Sequence, residues 1–296
     1  MAKYFYCLLF FLLWPVAAPL SAQVADSPAL DFLPAGELRV GINPEQPPVI
    51  FVQDKRIAGL EADLARAFAM DLGVPLNFVV MDWDELIPAL TSGKIDIIMS
   101  GMTATEVRSV RINFSTPYLV TGQMPLVRAS DLSRYPTTLA LKYTQARVGV
   151  EKGTTGDFLV RENFLYAERV PYDNISVAAA DLAKGQIDMV VADAPTVWWL
   201  AADDSMKGLT PVGAVLTNEY IAWGIAKRNP GLKHAADSFV AKLQASGDLD
   251  VMVKHWLPYV ARATTLPQRR PTPPTPVTEE EEAKPRNPDH FQGGAR

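Results

Sequence analysis

Between residues 38 and 257 the apolar positions fall into short runs and helical stripes, and the order of runs and stripes is written twice. Residues 38–41 read as a short strand, closed by a loop holding Pro44, Pro47 and Pro48. Gly59 then opens a stretch in which Leu60, Leu64, Phe68 and Leu72 recur at helical spacing until Gly73-Val74-Pro75 stops it. Residues 76–81 read as the next strand, and Asp82 is placed to cap a helix carrying Leu86, Ile87 and Leu90. Ser92-Gly93 turns the chain into an apolar strand over 95–99. The later half repeats the scheme: a strand at 148–150, a Gly153-Thr154-Thr155-Gly156 turn opening a helix, a helix over 175–182 ending at Lys184-Gly185, and a strand at 187–192. The extended stretches 124–128 and 220–226, each at the edge of a repeat unit, read as crossings between the two halves, and 232–243 and 249–257 as closing helices.

The repetition reaches single residues. Arg39-Val40-Gly41-Ile42 is followed by Gly93-Lys94-Ile95-Asp96-Ile97-Ile98-Met99-Ser100, and Arg147-Val148-Gly149-Val150 by Gly185-Gln186-Ile187-Asp188-Met189-Val190-Val191-Ala192. Gly-x-Ile-Asp before an apolar run recurs by chance in α/β proteins; two motifs in one shared order argue for two similar α/β lobes. The roughly fifty residues between the paired segments leave room for helical crossovers, as in a βαβ unit. Lobes of this kind face one another, and small ligands bind in the cleft beyond the carboxyl ends of the strands. The residues just after each repeat are therefore the site candidates: 100–108 on one side and Asp193 on the other. The expected partition is a leader over 1–22, a first lobe over 31–126 plus 222–262, a second lobe over 127–221 and a tail over 263–296.

Composition narrows the picture. A chain of 296 residues, 48% hydrophobic and 21% charged, can bury a full core, and a net charge of −5 argues against broad nucleic-acid binding. Lys3, an apolar run over 4–14, Pro15 and small residues up to Ala22 read as a secretory signal peptide cleaved near Ala22. The alternative, an uncleaved anchor, wants about 20 apolar residues. The single cysteine, Cys7, lies inside that run, so the mature chain has no disulfide, thiol nucleophile or thiolate metal site, and a soluble periplasmic protein is expected. From 263 onwards, repeated prolines and the run 279–282 of glutamates cannot support a core, and the tail reads as extended, either a bare terminus or a spacer for a partner.

Among residues able to carry chemistry, Arg108 stands first. The loop Ser100-Gly101-Met102-Thr103 leaves the end of a buried strand, offers hydroxyls and close backbone approach, and then places a guanidinium, a planar fork suited to both oxygens of a carboxylate. Thr154 and Thr155, before a helix, offer a second anion site, too short for a nucleotide loop; an ordinary capped helix start is the alternative. Asp193 fits either a carboxylate receiving an ammonium or an N-cap before Ala194-Pro195. Opposite Arg108 it makes a zwitterion clamp. Trp83 suits packing against a ligand side chain or the core, and Asn43 a cleft contact or a turn. His234, His255 and His290 lack metal-ligand spacing, and no nucleophile elbow appears, so neither a metal, a cofactor nor catalysis is indicated.

These residues together resemble a known family. The run Gly59-Leu60-Glu61-Ala62-Asp63-Leu64, then 83–90, 93–96, Ser100-Gly101-Met102-Thr103, Arg108, Phe114-Ser115-Thr116-Pro117-Tyr118, 148–156, 185–193 and Trp223-Gly224-Ile225-Ala226 are similar to the family 3 extracellular solute-binding proteins, the polar amino-acid receptors of ABC importers. The resemblance covers residues 38–259 and implies a type II periplasmic binding protein fold: two Rossmann-like lobes joined by two hinge strands. It implies that Arg108 takes the ligand carboxylate, with Thr103, the Gly101 backbone and Thr155 helping, that Asp193 takes the amine, and that Trp83 packs the side chain. Family members often carry aromatics where this chain has Gln46 and Val49, and members selecting basic ligands tend to have Asp where it has Asn43, which favours a polar or uncharged amino acid. The implied partners are an amino acid and an inner-membrane permease, with the receptor a monomer. Two rivals stay open: a dehydratase of a cyclic carboxylic acid on the same scaffold, with Glu61 or Glu151 as general acid, and a sensor acting through the tail.

Overall fold

A computed structural model describes residues 31–258, apart from Pro34 and Ala214; the leader, Cys7, His290 and the tail lie outside the described residues. The first half runs β1 (Leu38–Ile42), β2 (Glu45–Gln46), β3 (Ile50–Gln53), β4 (Arg56–Ala58), α1 (Leu60–Leu72), β5 (Leu76–Val80), α2 (Leu86–Ser92), β6 (Ile97–Ile98), α3 (Glu106–Ser109), β7 (Ile112–Phe114) and β8 (Leu119–Thr121). The second runs β9 (Gln123–Arg128), α4 (Thr138–Lys142), β10 (Arg147–Glu151), α5 (Thr155–Asn163), β11 (Glu168–Tyr172), α6 (Ile175–Ala183), β12 (Met189–Asp193), α7 (Ala194–Ala202) and β13 (Leu209–Pro211). The chain then returns through β14 (Glu219–Ile221) and β15 (Gly224–Ala226) to α8 (Pro230–Ser246) and α9 (Asp248–Trp256).

Two five-stranded sheets result, in the orders β5-β1-β6-β15-β7 and β11-β10-β12-β9-β13. In each, the first three strands and the fifth run the same way and only the fourth, β15 or β9, is antiparallel to its neighbours, so the sheets are the same construction made twice. Alternating side chains fill both faces of each. In the first, Val40, Ile97 and Ile225 join Phe68, Trp223 and Phe239 on one face, while Ile98 and Ile112 join Leu86 and Leu90 on the other. In the second, Leu126 and Val190 meet α6 and α7 while Val148, Val150 and Val191 meet Val160 of α5.

The repeated motifs hold each sheet together at the starts of its strands. Arg39 gives its backbone N–H and Nε to Asp96 Oδ2 at 2.9 and 3.0 Å and Nη2 to Oδ1 at 2.7 Å. Arg147 does the same to Asp188 at 3.0, 3.1 and 3.1 Å, and holds that carboxyl down at about 2. The repeated glycines answer the repeated isoleucines: a Cβ on Gly41 would sit 2.2 Å from Ile95 Cδ1, and one on Gly149 2.6 Å from Ile187 Cδ1. Arg-x-Gly and Ile-Asp are thus the two halves of one buckle, and the repeat records packing; the ligand end of each strand is left free.

Helix boundaries follow local chemistry. Gly73 and Gly93 end α1 and α2 in the left-handed region, at φ 70° and 83°. Asp82 differs from expectation: it precedes a single 3₁₀ turn at Trp83–Glu85 and its side chain makes no cap bond. The crossings also move. Residues 124–128 lie in β9, inside the second sheet, and 224–226 form β15 of the first; the strands between the sheets are β8 and β14, paired antiparallel to one another. The stretch 220–226 thus takes in β14 at 220–221 together with β15, whereas β8, three residues with no periodicity of its own, is passed over for the longer β9 beside it.

Candidate functional site

The cleft opens at the carboxyl ends of β1, β6, β10 and β12, and both lobes and the hinge supply it. Glycine at 101, φ 65°, turns the chain out of β6, where a Cβ would meet Gln46 Oε1 at 2.9 Å. Thr105 caps α3 with its hydroxyl and so sets Arg108 in the helix's first turns. The Arg108 guanidinium lies over the Trp83 ring, 5.2 Å from its centroid, and donates Nη1 to Thr103 O at 2.9 Å and Nη2 to Gly153 O at 3.3 Å. Trp83 Nε1 donates to the same Gly153 oxygen at 3.2 Å. The first lobe is thereby fastened to the second through one carbonyl.

On the second lobe, Thr154 caps α5, accepting from Asp157 N at 3.2 Å and donating to Glu151 O at 2.8 Å. Asp193 stands at the N-cap position of α7 but makes no side-chain cap bond; its Oδ1 instead accepts from Gln123 Nε2. Asp193 thus lines the cavity between the lobes and leaves its helix uncapped by its side chain. Burial and the neighbouring Glu219 push its pKa up to about 7, against the pull of Gln123 and Arg108. Burial lowers that of Arg108, while Asp193 and Glu219 raise it.

The remaining expected residues are present at the cleft but internally engaged. Ser100 Oγ accepts from Asn43 N at 2.9 Å and donates to Asn43 O at 3.3 Å, tying β1 to the loop after β6. The Gly101 N–H donates to Glu61, whose other oxygen accepts from the Tyr118 hydroxyl at 2.6 Å; burial raises Glu61 to about 7. Thr103 and Thr155 both donate to Glu219 Oε2 at 2.7 Å, one from each lobe, and Thr217 donates to its Oε1 at 2.7 Å.

Glu219, at the start of β14, is the main residue that sequence reasoning missed. A lone acid in a three-residue hinge strand has no motif around it. Gln123, which bonds both Thr155 Oγ1 at 3.0 Å and Asp193, was equally unmarked. Glu151, buried at 4% exposure, and Gln46 at 7%, line a cavity with Gln123, Thr154 and Asp193. Burial and Asp193 push Glu151 up to about 8, so its carboxyl is largely protonated at neutral pH. The cavity measures ≈ 20 Å³, room for about one water molecule.

Comparison with known proteins agrees with this architecture. The model of the bacterial extracellular solute-binding proteins, family 3, matches residues 38–259. The chain is similar to the L-cystine-binding protein TcyJ of Escherichia coli (strain K12), 29% identical over 226 residues, covering 75% of this chain and 82% of that one. It is also similar to the cyclohexadienyl dehydratase of Pseudomonas aeruginosa, 25% identical over 248 residues, 82% of this chain and 90% of the other. Among solved structures, an ancestral arginine-binding protein bound to arginine superposes with a TM-score of 0.71 at 32% identity, covering 75% of this chain and 98% of its own.

Proposed function

Because the chain belongs to the bacterial extracellular solute-binding proteins of family 3, we propose that it captures an amino acid between its lobes in the periplasm and presents the closed form, as a monomer, to an inner-membrane ABC permease. The observation that carries this reading is the placement of Arg108, on α3 beyond β6, and Asp193, at the end of the equivalent strand β12: Arg108 reaches to the Gly153 carbonyl of the second lobe, and Asp193 lines the cavity there. A cation from one lobe meets the ligand carboxylate and an anion from the other meets its ammonium. An amino acid satisfies both, and only with the lobes together. Ligand binding therefore favours the closed state by contacts that an open lobe cannot make. Trp83 covers the ligand, and Asn43, Ser100, Gly101, Thr103, Thr154 and Thr155 form its polar surround.

A thermal-shift screen of refolded, ligand-free protein against the amino acids tests this. Ligand at a hundred times its dissociation constant adds about 2.7 kcal/mol. A shift with an amino acid, lost in Asp193→Ala, supports the receptor; no shift with any, or one that survives Asp193→Ala, overturns it.

The dehydratase relative and the protonated Glu151 carboxyl favour one second reading, in which Glu151 gives its proton to a leaving hydroxyl of a cyclic carboxylic acid. Turnover of prephenate or arogenate by purified protein, absent in Glu151→Gln, would establish it; binding without turnover would exclude it.

A further inference from the structure

Three buried acceptor atoms at the cleft have no hydrogen-bond partner: Asn43 Oδ1, Gln123 Oε1 and Glu151 Oε1. Their residues are 5%, 1% and 4% exposed, so each unpaired oxygen costs its desolvation unless a donor arrives. Gln123 and Glu151 face one cavity, whose remaining wall includes the apolar Ile175, Val191 and Ala192. An apolar wall with unpaired acceptors beside it suits a side chain with a hydrocarbon stem and N–H donors at its end. Charge points the same way. Arg108 carries the positive charge beside Asp193 and Glu219, while Asp193 and Glu45 act on Glu151. Lys152, next to Glu151 in the chain, and Arg169, on the adjoining strand β11, are both paired elsewhere: Lys152 Nζ with Asp173 at 2.7 Å and Arg169 Nη1 with Asp157 at 2.6 Å. Across the strand pair, Tyr172 gives its hydroxyl to Asp181, and Glu45 accepts from Asn174 at the start of α6.

We propose that Glu151 determines specificity in this site, and that with Gln46 and Gln123 it selects amino acids whose side chain ends in a cation. The inference rests on the amino-acid-receptor reading above and narrows it. It also replaces the preference for an uncharged ligand drawn from Asn43: the acid missing from the end of β1 is supplied from the other lobe, at the end of β10. Glu151 gives up its proton when the cation arrives. Without a cation, burial above all, then Asp193 and Glu45, keep that proton on, with a pKa of about 8.

The test is calorimetric titration of the full chain with L-arginine and with L-citrulline, its neutral near-isostere, at pH 6, 7 and 8. Both ligands need Asp193 ionised, so their affinity ratio isolates Glu151. Arginine is expected to bind at least about tenfold tighter at pH 8, with the ratio falling up to about tenfold per pH unit below that, the limit for one proton released. In Glu151→Gln the ratio should collapse to within about twofold and lose its pH dependence. The wild-type pH profile stands on its own should that variant not fold. Equal binding of arginine and citrulline, or a ratio that is flat with pH or survives Glu151→Gln, overturns this inference and leaves the receptor standing. Binding of no amino acid at any pH overturns both.

Discussion

Glu219 offers the sharpest test of how the cleft is held. Its carboxylate, 7% exposed, takes hydroxyl protons from Thr103 of the first lobe, Thr155 of the second and Thr217 beside it, each at 2.7 Å. Hydrogen bonds to a charged acceptor contribute about 1.5–3 kcal/mol each. Thr155 and Thr217 are only half-buried, and water can replace their bonds. Counting only the bond from buried Thr103 in full, Glu219→Ala should lower the stability of the ligand-free protein by about 1.5–3 kcal/mol, and Glu219→Gln, which keeps a carbonyl acceptor but no charge, by less. A second readout separates this from general damage. Glu219 is the largest influence after burial raising Asp193 to about 7, so in Glu219→Gln the Asp193 carboxyl should titrate lower. Affinity for whichever amino acid the screen returns should then decline less between pH 8 and pH 6 than in the wild type. Urea unfolding at pH 8 and calorimetry at the two pH values make the measurement. A Glu219→Ala protein within about 0.5 kcal/mol of wild type would refute the hub. So would an unchanged pH profile of binding in Glu219→Gln.

Arg108→Ala should abolish amino-acid binding in calorimetry while the circular dichroism spectrum stays native, since the side chain is half-buried at the cleft rather than in either core. Glu61, Asp193 and Glu151 all titrate well above their unfolded values, at about 7, 7 and 8. Folding therefore holds extra protons, and ligand-free stability should fall as pH rises from about 5 to beyond 8; a melting temperature that climbs over that interval would contradict the assignment. Breaking the first buckle should cost more than breaking the second. Arg39→Ala strands Asp96, 7% exposed, for about 2–4 kcal/mol, whereas Asp188 is 19% exposed and keeps Arg128 3.6 Å away. Urea midpoints of the two variants give the order.

The chain stated its architecture because its two lobes repeat and because long elements declare themselves. Leu60, Leu64 and Phe68 are all fully buried on one face of α1, as their spacing requires. The hinge did not, since β8 and β14 are three residues each and owe their conformation to one another. At the site, the legible residues were those that follow a repeated strand, Arg108 and Asp193. What stayed hidden was the bonding among them. Nothing local says that the Thr103 and Thr155 protons, set 52 positions apart, both go to Glu219 on a third segment. Nor could spacing decide whether Asp193 would cap its helix or face the cleft; that depended on Gln123 arriving from β9. Glu151 was visible only as an acid, and its burial against Gln46 and Asp193 is a tertiary fact.

The carbonyl of Gly153 takes both the indole of Trp83 and the guanidinium of Arg108. A main-chain oxygen belongs to whatever residue stands at that position, so on the second lobe the catch does not depend on a side chain, while on the first it uses Trp83 and Arg108 themselves. Mutations that retune what the pocket accepts, at 46, 123 or 151, need not disturb how the two halves shut. Lock and latch share Arg108 and Trp83, so the part that can be recut without refitting the latch is the far wall at those three positions, while a change at 83 or 108 alters both at once.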